Sequence, residues 1–235
     1  MNWFSQLGQD KFLIEKIFNK KEKGFFVDVG AHDGEYLSNT KCLENLKWKG
    51  ICIEPSAASV NLAKSRDDNC KIVSGCCVSE GKLSGKIVRF RQFNPNEISV
   101  TLFEDLHEEP YWPKDLERGN NYEDKLKKCK TLNEILIENS APKKIDYISI
   151  DTQGCEWLVV KDFPLGDWNV KVFTIANDMF QGGEKEDNRN KTKSFMESNG
   201  YKLTKTFSLK ELDKNNWGKN FEDEIIEDLY VKQDN

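Results

Sequence analysis

Gly24-Phe25-Phe26-Val27-Asp28-Val29-Gly30-Ala31-His32-Asp33-Gly34 is the stretch whose reading decides the fold. Phe25 to Val29 is a short run of β-formers, broken only by Asp28, and it ends at Gly30 and Gly34. The pattern predicts a buried strand, a glycine turn and then a helix. Glycines in such a turn let the backbone approach a ligand, and a helix N-terminus behind them offers unpaired N–H groups. Gly50-Ile51-Cys52-Ile53-Glu54-Pro55 follows as a second strand ending in an acid. An acid at that tip is placed to accept hydrogen bonds from both hydroxyls of a ribose. Asp28 adds weight to this reading, because a carboxylate inside an apolar strand is costly unless paired. The dinucleotide fingerprint fails, since His32 stands where it needs glycine, and a Walker phosphate loop is absent. What remains is Asp28-x-Gly30-Ala31-x-x-Gly34 followed by Glu54, half of a nucleoside-cofactor site.

Working outward, the 235 residues suit one α/β domain spanning 1–235. A net charge of −5 argues against a general nucleic-acid or acidic-membrane binder. Seven cysteines without a CxxC pair point to a reducing, cytoplasmic compartment rather than a disulfide framework or zinc knuckle. Two histidines are too few for a histidine-rich metal site. No apolar run reaches membrane-spanning length, and a signal-peptide core is not seen at the N-terminus.

Trp3 to Phe18 has apolar residues at helical spacing and predicts an amphipathic helix over about 3–18, with Gln6, Gln9 and Asp10 read as its solvated face. Glu35 to Trp48 leads into a further helix in which Ser38 and Asn39 are capping residues or cofactor ligands. Lys71 to Ser79 reads as strand three, with Cys77 and Val78 as adenine contacts at its tip. Lys86 to Phe93 alternates as an added strand. Residues 94–124 are irregular enough to be an insertion or lid. Within it, Tyr111 and Trp112 either stack on a sugar acceptor or pin the loop. The lysine-rich stretch 125–130 is read as a solvated face. Thr131 with Glu134 forms a capping box for the next helix. Ile145 to Asp151 is a strand ending in an acid, and Glu156 opens the helix after it. Val170 to Ala176 is a strand ending at Asn177-Asp178, and residues 181–190 read as mobile. A helix around Phe195, a strand Tyr201 to Phe207, a charged connector and a last strand Asp228 to Lys232 complete the chain. Strands and helices alternate, which predicts a Rossmann-like, doubly wound, mostly parallel seven-stranded sheet with an antiparallel closing strand. Asp28, Glu54, Asp151 and Asn177-Asp178 should meet on one rim.

Ser5-Gln6-x-Gly8-Gln9-Asp10, Asp28 to Gly34, Ser38-Asn39-Thr40, Trp48-x-Gly50-x-Cys52-Ile53-Glu54-Pro55 and Ile148-Ser149-Ile150-Asp151-x-x-Gly154-x-Glu156 together resemble the FkbM family of methyltransferases. The resemblance implies an S-adenosylmethionine-dependent O-methyltransferase acting on sugar hydroxyls of a glycan or a deoxysugar such as rhamnose. It implies Asp28, Gly30, His32, Gly34, Ser38, Asn39, Glu54, Pro55, Cys77, Val78 and Asp151 as the cofactor-binding set. One departure is Thr152-Gln153-Gly154, where the family usually has Val-Glu-Gly or similar. A likeness to methyltransferase modules of glycan-building proteins in large algal viruses implies a host cytoplasm and a place in a longer multidomain chain. Methyl transfer to a poorly acidic hydroxyl calls for a base or a metal. Asp151 is the candidate base, with His32 and Asp178 as further catalytic candidates; a helix N-cap is the competing role for Asp151. Asp151, Asn177 and Asp178 are a candidate Mg²⁺ or Mn²⁺ set. Glu156 either favours the helix dipole or binds the acceptor together with Tyr111 and Trp112. A carbohydrate is the expected partner and nucleic acid is not; methylation of RNA or another macromolecule, or a non-catalytic cofactor-binding role, are the competing readings.

Overall fold

Phe25–Val29 is an interior strand of a seven-stranded sheet in the computed structural model, which describes residues 1–78, 84–93, 100–101, 122–177, 185–211 and 225–233. The strands are β1 (Phe25–Val29), β2 (Lys49–Ile53), β3 (Cys70–Val73), β4 (Cys76–Val78), β5 (Ile87–Phe93), β6 (Val100–Thr101), β7 (Tyr122–Thr131), β8 (Lys144–Ile150), β9 (Asn169–Ala176), β10 (Tyr201–Ser208) and β11 (Ile225–Lys232). The helices used below are α1 (Gln9–Phe12), α2 (Ser59–Ser65), α3 (Leu132–Glu138), α4 (Glu156–Val160) and α5 (Lys185–Ser198). The large sheet has the order β10-β11-β9-β8-β1-β2-β3. Pairs β1·β2, β1·β8, β2·β3 and β8·β9 are parallel, and β11 runs antiparallel to both β9 and β10. This is the doubly wound sheet with one reversed strand that the alternation of elements predicts.

The two faces follow from the period of two along each strand. Val27, Val29, Ile51, Ile53, Ile148, Ile150, Phe173 and Ile175 bury one face with Leu132, Ile135 and Leu136 of α3 and Met196 of α5. Phe26, Cys52, Tyr147, Val172, Phe207 and Leu229 bury the other with Leu13, Ile14, Phe18, Leu43 and Trp48. On this second face the apolar row gives way to polar side chains, Asp28, Ser149, Thr174 and Glu227, all buried. α3 starts at the expected capping box: Thr131 Oγ1 accepts from Glu134 N at 3.0 Å, and Glu134 Oε2 accepts from Thr131 N at 2.7 Å.

Several expectations are corrected. Residues 3–8 are not helical. Gly8 takes φ 75° and starts α1, which continues as a π-helical turn over Leu13–Ile17. Asp10 Oδ2 accepts from Phe4 N at 2.7 Å and Asp10 Oδ1 from Ser5 Oγ at 2.6 Å, folding the chain start back on the helix. Gln9 and Asp10 are therefore buried, not a solvated face. After the glycine turn there is only a 3-10 helix, Lys41–Leu46, because Asp33 Oδ1 draws Glu35 N and Tyr36 N into turns and Leu37 takes φ 54°. Strand three divides: β3 stays in the large sheet, and β4 leaves it to pair with β7. The lysine-rich stretch lies in β7 of a second sheet, β4-β7-β5-β6, where Lys125, Lys127, Lys128 and Lys130 are half-buried or exposed. Residues 185–190 are helical within α5, and β11 begins three residues before the expected Asp228. Most of the 94–124 insertion, with Tyr111 and Trp112, lies outside the described residues.

Candidate active site

The rim is built on the close approach of the β1 and β8 tips. Gly30 has φ 88°, and a Cβ added there would stand 1.7 Å from the Asp151 carbonyl oxygen. Gly34 has φ 82°, and its Cβ would stand 2.5 Å from Ser65 Oγ and 2.6 Å from Leu62 Cδ1. Both glycines are thus required by the protein's own packing. The turn's N–H groups are also spent internally: Gly30 N and Ala31 N donate to Ile53 O, Gly34 N to Ala31 O, and His32 N to Glu54 Oε2. The expected open N–H cradle is absent at these four residues, which suits a cofactor that brings no phosphate.

Glu54 lies at the end of β2, 5% exposed. Oε2 accepts from His32 N and Oε1 from Ser56 N, each at 2.8 Å. Each carboxylate oxygen can accept a second hydrogen bond, so the pinned group still has capacity for two ribose hydroxyls. Pro55 follows it as the second residue past β2.

Asp28 faces inward from β1. Oδ2 accepts from Thr40 Oγ1 at 2.5 Å and meets Arg66 Nη2 at 3.4 Å. Burial pushes its carboxyl above the usual range, and Arg66 and Thr40 oppose that. The same guanidinium donates to Ser38 Oγ, Thr40 Oγ1 and Glu44 Oε1. Ser38 Oγ also accepts from Thr40 N at 3.2 Å and Lys41 N at 3.1 Å, turning the chain into the 3-10 helix whose N-cap is Thr40. Arg66 is a residue that the sequence reading missed; its only signal was the buried acid it must neutralise.

Asp151 sits half-buried just past β8, and Gln153 Nε2 donates to its Oδ1 at 2.8 Å. Burial lifts its carboxyl above the ordinary range, and the charges of Asp28 and Glu54 add to this against the Gln153 hydrogen bond. It is not the helix N-cap: that position belongs to Cys155. Glu156 is buried, and its Oε1 accepts from Thr152 N at 2.7 Å and Gly154 N at 3.2 Å. It organises the loop after β8 from the first turn of α4. His32 has φ 49°, and its Nδ1 is buried without a hydrogen-bond partner. Asn177 Nδ2 is likewise buried and unpartnered. Asp178 lies outside the described residues, and of Cys77 and Val78 only the backbone in β4 is described. Among the described residues no group of three His, Cys, Asp or Glu is placed to hold a metal ion. Asp151 and Asn177 alone do not make the expected Mg²⁺ or Mn²⁺ set.

The other missed residue is Glu227. Its Oε2 accepts from Gln9 Nε2 at 2.8 Å and its Oε1 from Asn39 Nδ2 at 2.9 Å. Asn39 Nδ2 also reaches Ser149 Oγ at 3.3 Å. Tyr147 Oη and Thr174 Oγ1 lie 2.6 Å apart beside them. Burial drives the Glu227 carboxyl up to about 7, against hydrogen bonds from Thr174, Gln9 and Asn39, with Asp151 adding repulsion. An acid raised in the folded state stabilises most below its unfolded value and loses that contribution as pH rises through the folded one. The Glu227→Gln variant will therefore lack a decline that the parent shows between pH 5 and pH 8. The difference should be about 3 kcal/mol by linkage, read from urea melts at the two pH values. An identical pH dependence in both proteins would contradict it.

The description "Methyltransferase FkbM domain" matches residues 28–203, three quarters of the chain. This chain belongs to the FkbM methyltransferase family. The FkbM domain begins at Asp28 and takes in Glu54 and Asp151; α1 with Gln9 and β11 with Glu227 lie outside the matched range. The protein is a methyltransferase. A comparison with curated proteins finds no match. Among solved structures, a TehB-like SAM-dependent methyltransferase from Corynebacterium glutamicum is similar at 10% identity and TM-score 0.44, covering 99% of this chain and 89% of that one. A precorrin-6y C5,15-methyltransferase from Geobacter metallireducens is similar at 13% identity and TM-score 0.41, covering 91% and 82%. Aeropyrum pernix fibrillarin with natively bound S-adenosyl-L-methionine is similar at 8% identity and TM-score 0.43, covering 90% and 67%. Among the described residues no helix is long and apolar enough to cross a membrane.

Proposed function

We propose that this FkbM methyltransferase transfers the methyl group of S-adenosylmethionine to a hydroxyl oxygen of a sugar, in a glycan or a deoxysugar such as rhamnose. The observation that carries the cofactor side is Glu54, a buried carboxylate fixed by His32 N and Ser56 N beside a turn whose Gly30, Ala31, His32 and Gly34 N–H groups are spent internally. The buried, unpartnered Asn39 Oδ1 and Asn177 Nδ2 are polar atoms open to a polar ligand. When bound, the sulfonium supplies an electrophilic methyl and a neutral thioether leaving group. The protein has then to hold the acceptor oxygen in line and take its proton. Asp151 is the group for the proton: a carboxyl at the β8 tip, raised by burial, is a better base toward a weakly acidic hydroxyl than an ordinary one.

The acceptor side is walled by the second sheet. Val88 and Phe90 of β5 and Cys129 of β7 pack on Cys155, immediately after the Asp151–Gly154 loop, with Leu158 of α4 against them. The insertion between β5 and β7 therefore leaves from strands that adjoin that loop, and we assign it, with Tyr111 and Trp112, to acceptor binding. A single domain over 1–235 in a reducing cytoplasm remains our reading; Cys42, Cys52, Cys70, Cys129 and Cys155 are free thiols.

Two variants separate the parts. Glu54→Gln should weaken S-adenosylmethionine binding about 10- to 100-fold, the worth of hydrogen bonds to a charged group, measured by calorimetry. Asp151→Ala should bind the cofactor and fail to label a panel of deoxysugar glycans with radioactive methyl. Labelling of RNA in place of glycans by the parent, or undiminished turnover in Asp151→Ala, would defeat the respective claims.

A further inference from the structure

Glu227 holds more than structure together. A carboxylate only accepts, so both of its partners must turn their N–H groups toward it. Asn39 therefore points Nδ2 inward, one proton to Glu227 and the other to Ser149 Oγ. The opposite end of the same planar amide, Oδ1, is left buried without a donor. A lone buried acceptor is a standing cost unless a ligand supplies the missing proton. Asn39 follows the glycine turn, and its amide reaches Ser149 of β8, the register partner of Asp28 on β1.

We propose that Glu227 is a positioning residue: it fixes the Asn39 amide with the carbonyl oxygen presented to the primary ammonium of the cofactor's methionine tail, and reverses that presentation when it takes up a proton. The inference rests on the S-adenosylmethionine reading above. Protonated Glu227 becomes a donor, and Asn39 satisfies it by bringing Oδ1 inward and turning its NH₂ toward the cation, which repels. The groups around Glu227 set where this happens. β8 faces it with Asp151 and Tyr147, β9 with Thr174, and α1 with Gln9, while Asp10 spends its carboxylate on Phe4 and Ser5. On β10 its register partner is Phe207, with the Lys205 ammonium 4.8 Å from that ring. The result is a carboxyl at about 7, so the amide changes over in the neutral range.

The test is calorimetric titration of S-adenosylmethionine into the parent, Glu227→Gln and Asn39→Ala at pH 6.0 and 7.5. The parent should bind about eightfold more weakly at pH 6.0, the ratio of deprotonated fractions for a group at about 7. Both variants should bind weakly and with the same affinity at the two pH values, apart from the ligand's own ammonium, which titrates alike against all three proteins. A parent without the ratio, or either variant that keeps it, overturns the proposal; Asn39→Ala decides alone if Glu227→Gln does not fold. A parent that binds no S-adenosylmethionine at either pH overturns the cofactor reading, and this proposal with it. Tight binding without a pH ratio overturns the positioning role only.

Discussion

Arg66→Met will lower the folding free energy by about 3–5 kcal/mol, the usual cost of removing one partner from a buried ion pair. The Arg66 side chain is 1% exposed and Asp28 7%, so water cannot replace the lost charge. The guanidinium also serves Ser38, Thr40 and Glu44 at once and lies 5.8 Å from the Phe26 ring. Its loss would release the loop that carries Ser38 and Asn39 as well as strand β1 beneath it. The double variant Asp28→Asn/Arg66→Met should recover a large part of the loss, because it no longer leaves a bare carboxylate in the interior. Urea denaturation of the parent, the single variant and the double variant provides the measurement. A single variant within 1 kcal/mol of the parent would show that Asp28 takes its compensation elsewhere.

Gly30→Ala is the second large effect. An added methyl would lie 1.7 Å from the Asp151 carbonyl oxygen, a backbone atom that cannot swing aside, and φ 88° is itself unfavourable for an L side chain. Relief requires β1 and β8 to part at their tips, which separates Asp151 from the turn that holds Glu54. We expect a loss of at least about 4 kcal/mol, in the range reserved for steric and backbone strain together, and no measurable cofactor binding. Gly166→Ala is the control, since nothing lies within 4 Å of the added Cβ there. Similar melts for the two variants would contradict the account.

The strands that carry the site were legible because buried β-formers in short runs have few alternatives. β1, β2, β8 and β9 lie where Phe25, Ile51, Ile148 and Val172 put them, and Glu54 and Asp151 fall at their ends. What was not legible depends on contacts between distant residues. Arg66 sits in a stretch of ordinary surface composition, and only the fold shows that it faces Asp28. Gln9 looks solvated by helical spacing alone, yet it donates to an acid 218 residues away. Glu227 precedes the apolar core of β11 and reads as part of a charged connector until the strand is seen to begin at Ile225. The glycines were located correctly and explained incompletely, since local sequence cannot show that Asp151 O and Leu62 fill the space beside them.

The threading of β11 has a consequence for how this protein is made. β11 follows β10 in the sequence but lies between β10 and β9, so during synthesis β10 leaves the ribosome before the strand that will tie it to the sheet. Until Glu227 emerges, Gln9 and Asn39 lack their shared acceptor, and the proposed cofactor rim is unfinished although every residue from 28 to 203 has been translated. A nascent chain stalled before Ile225 should therefore hold most of its core and yet bind the methyl donor poorly, and long-range closure of this kind is a slow step of folding.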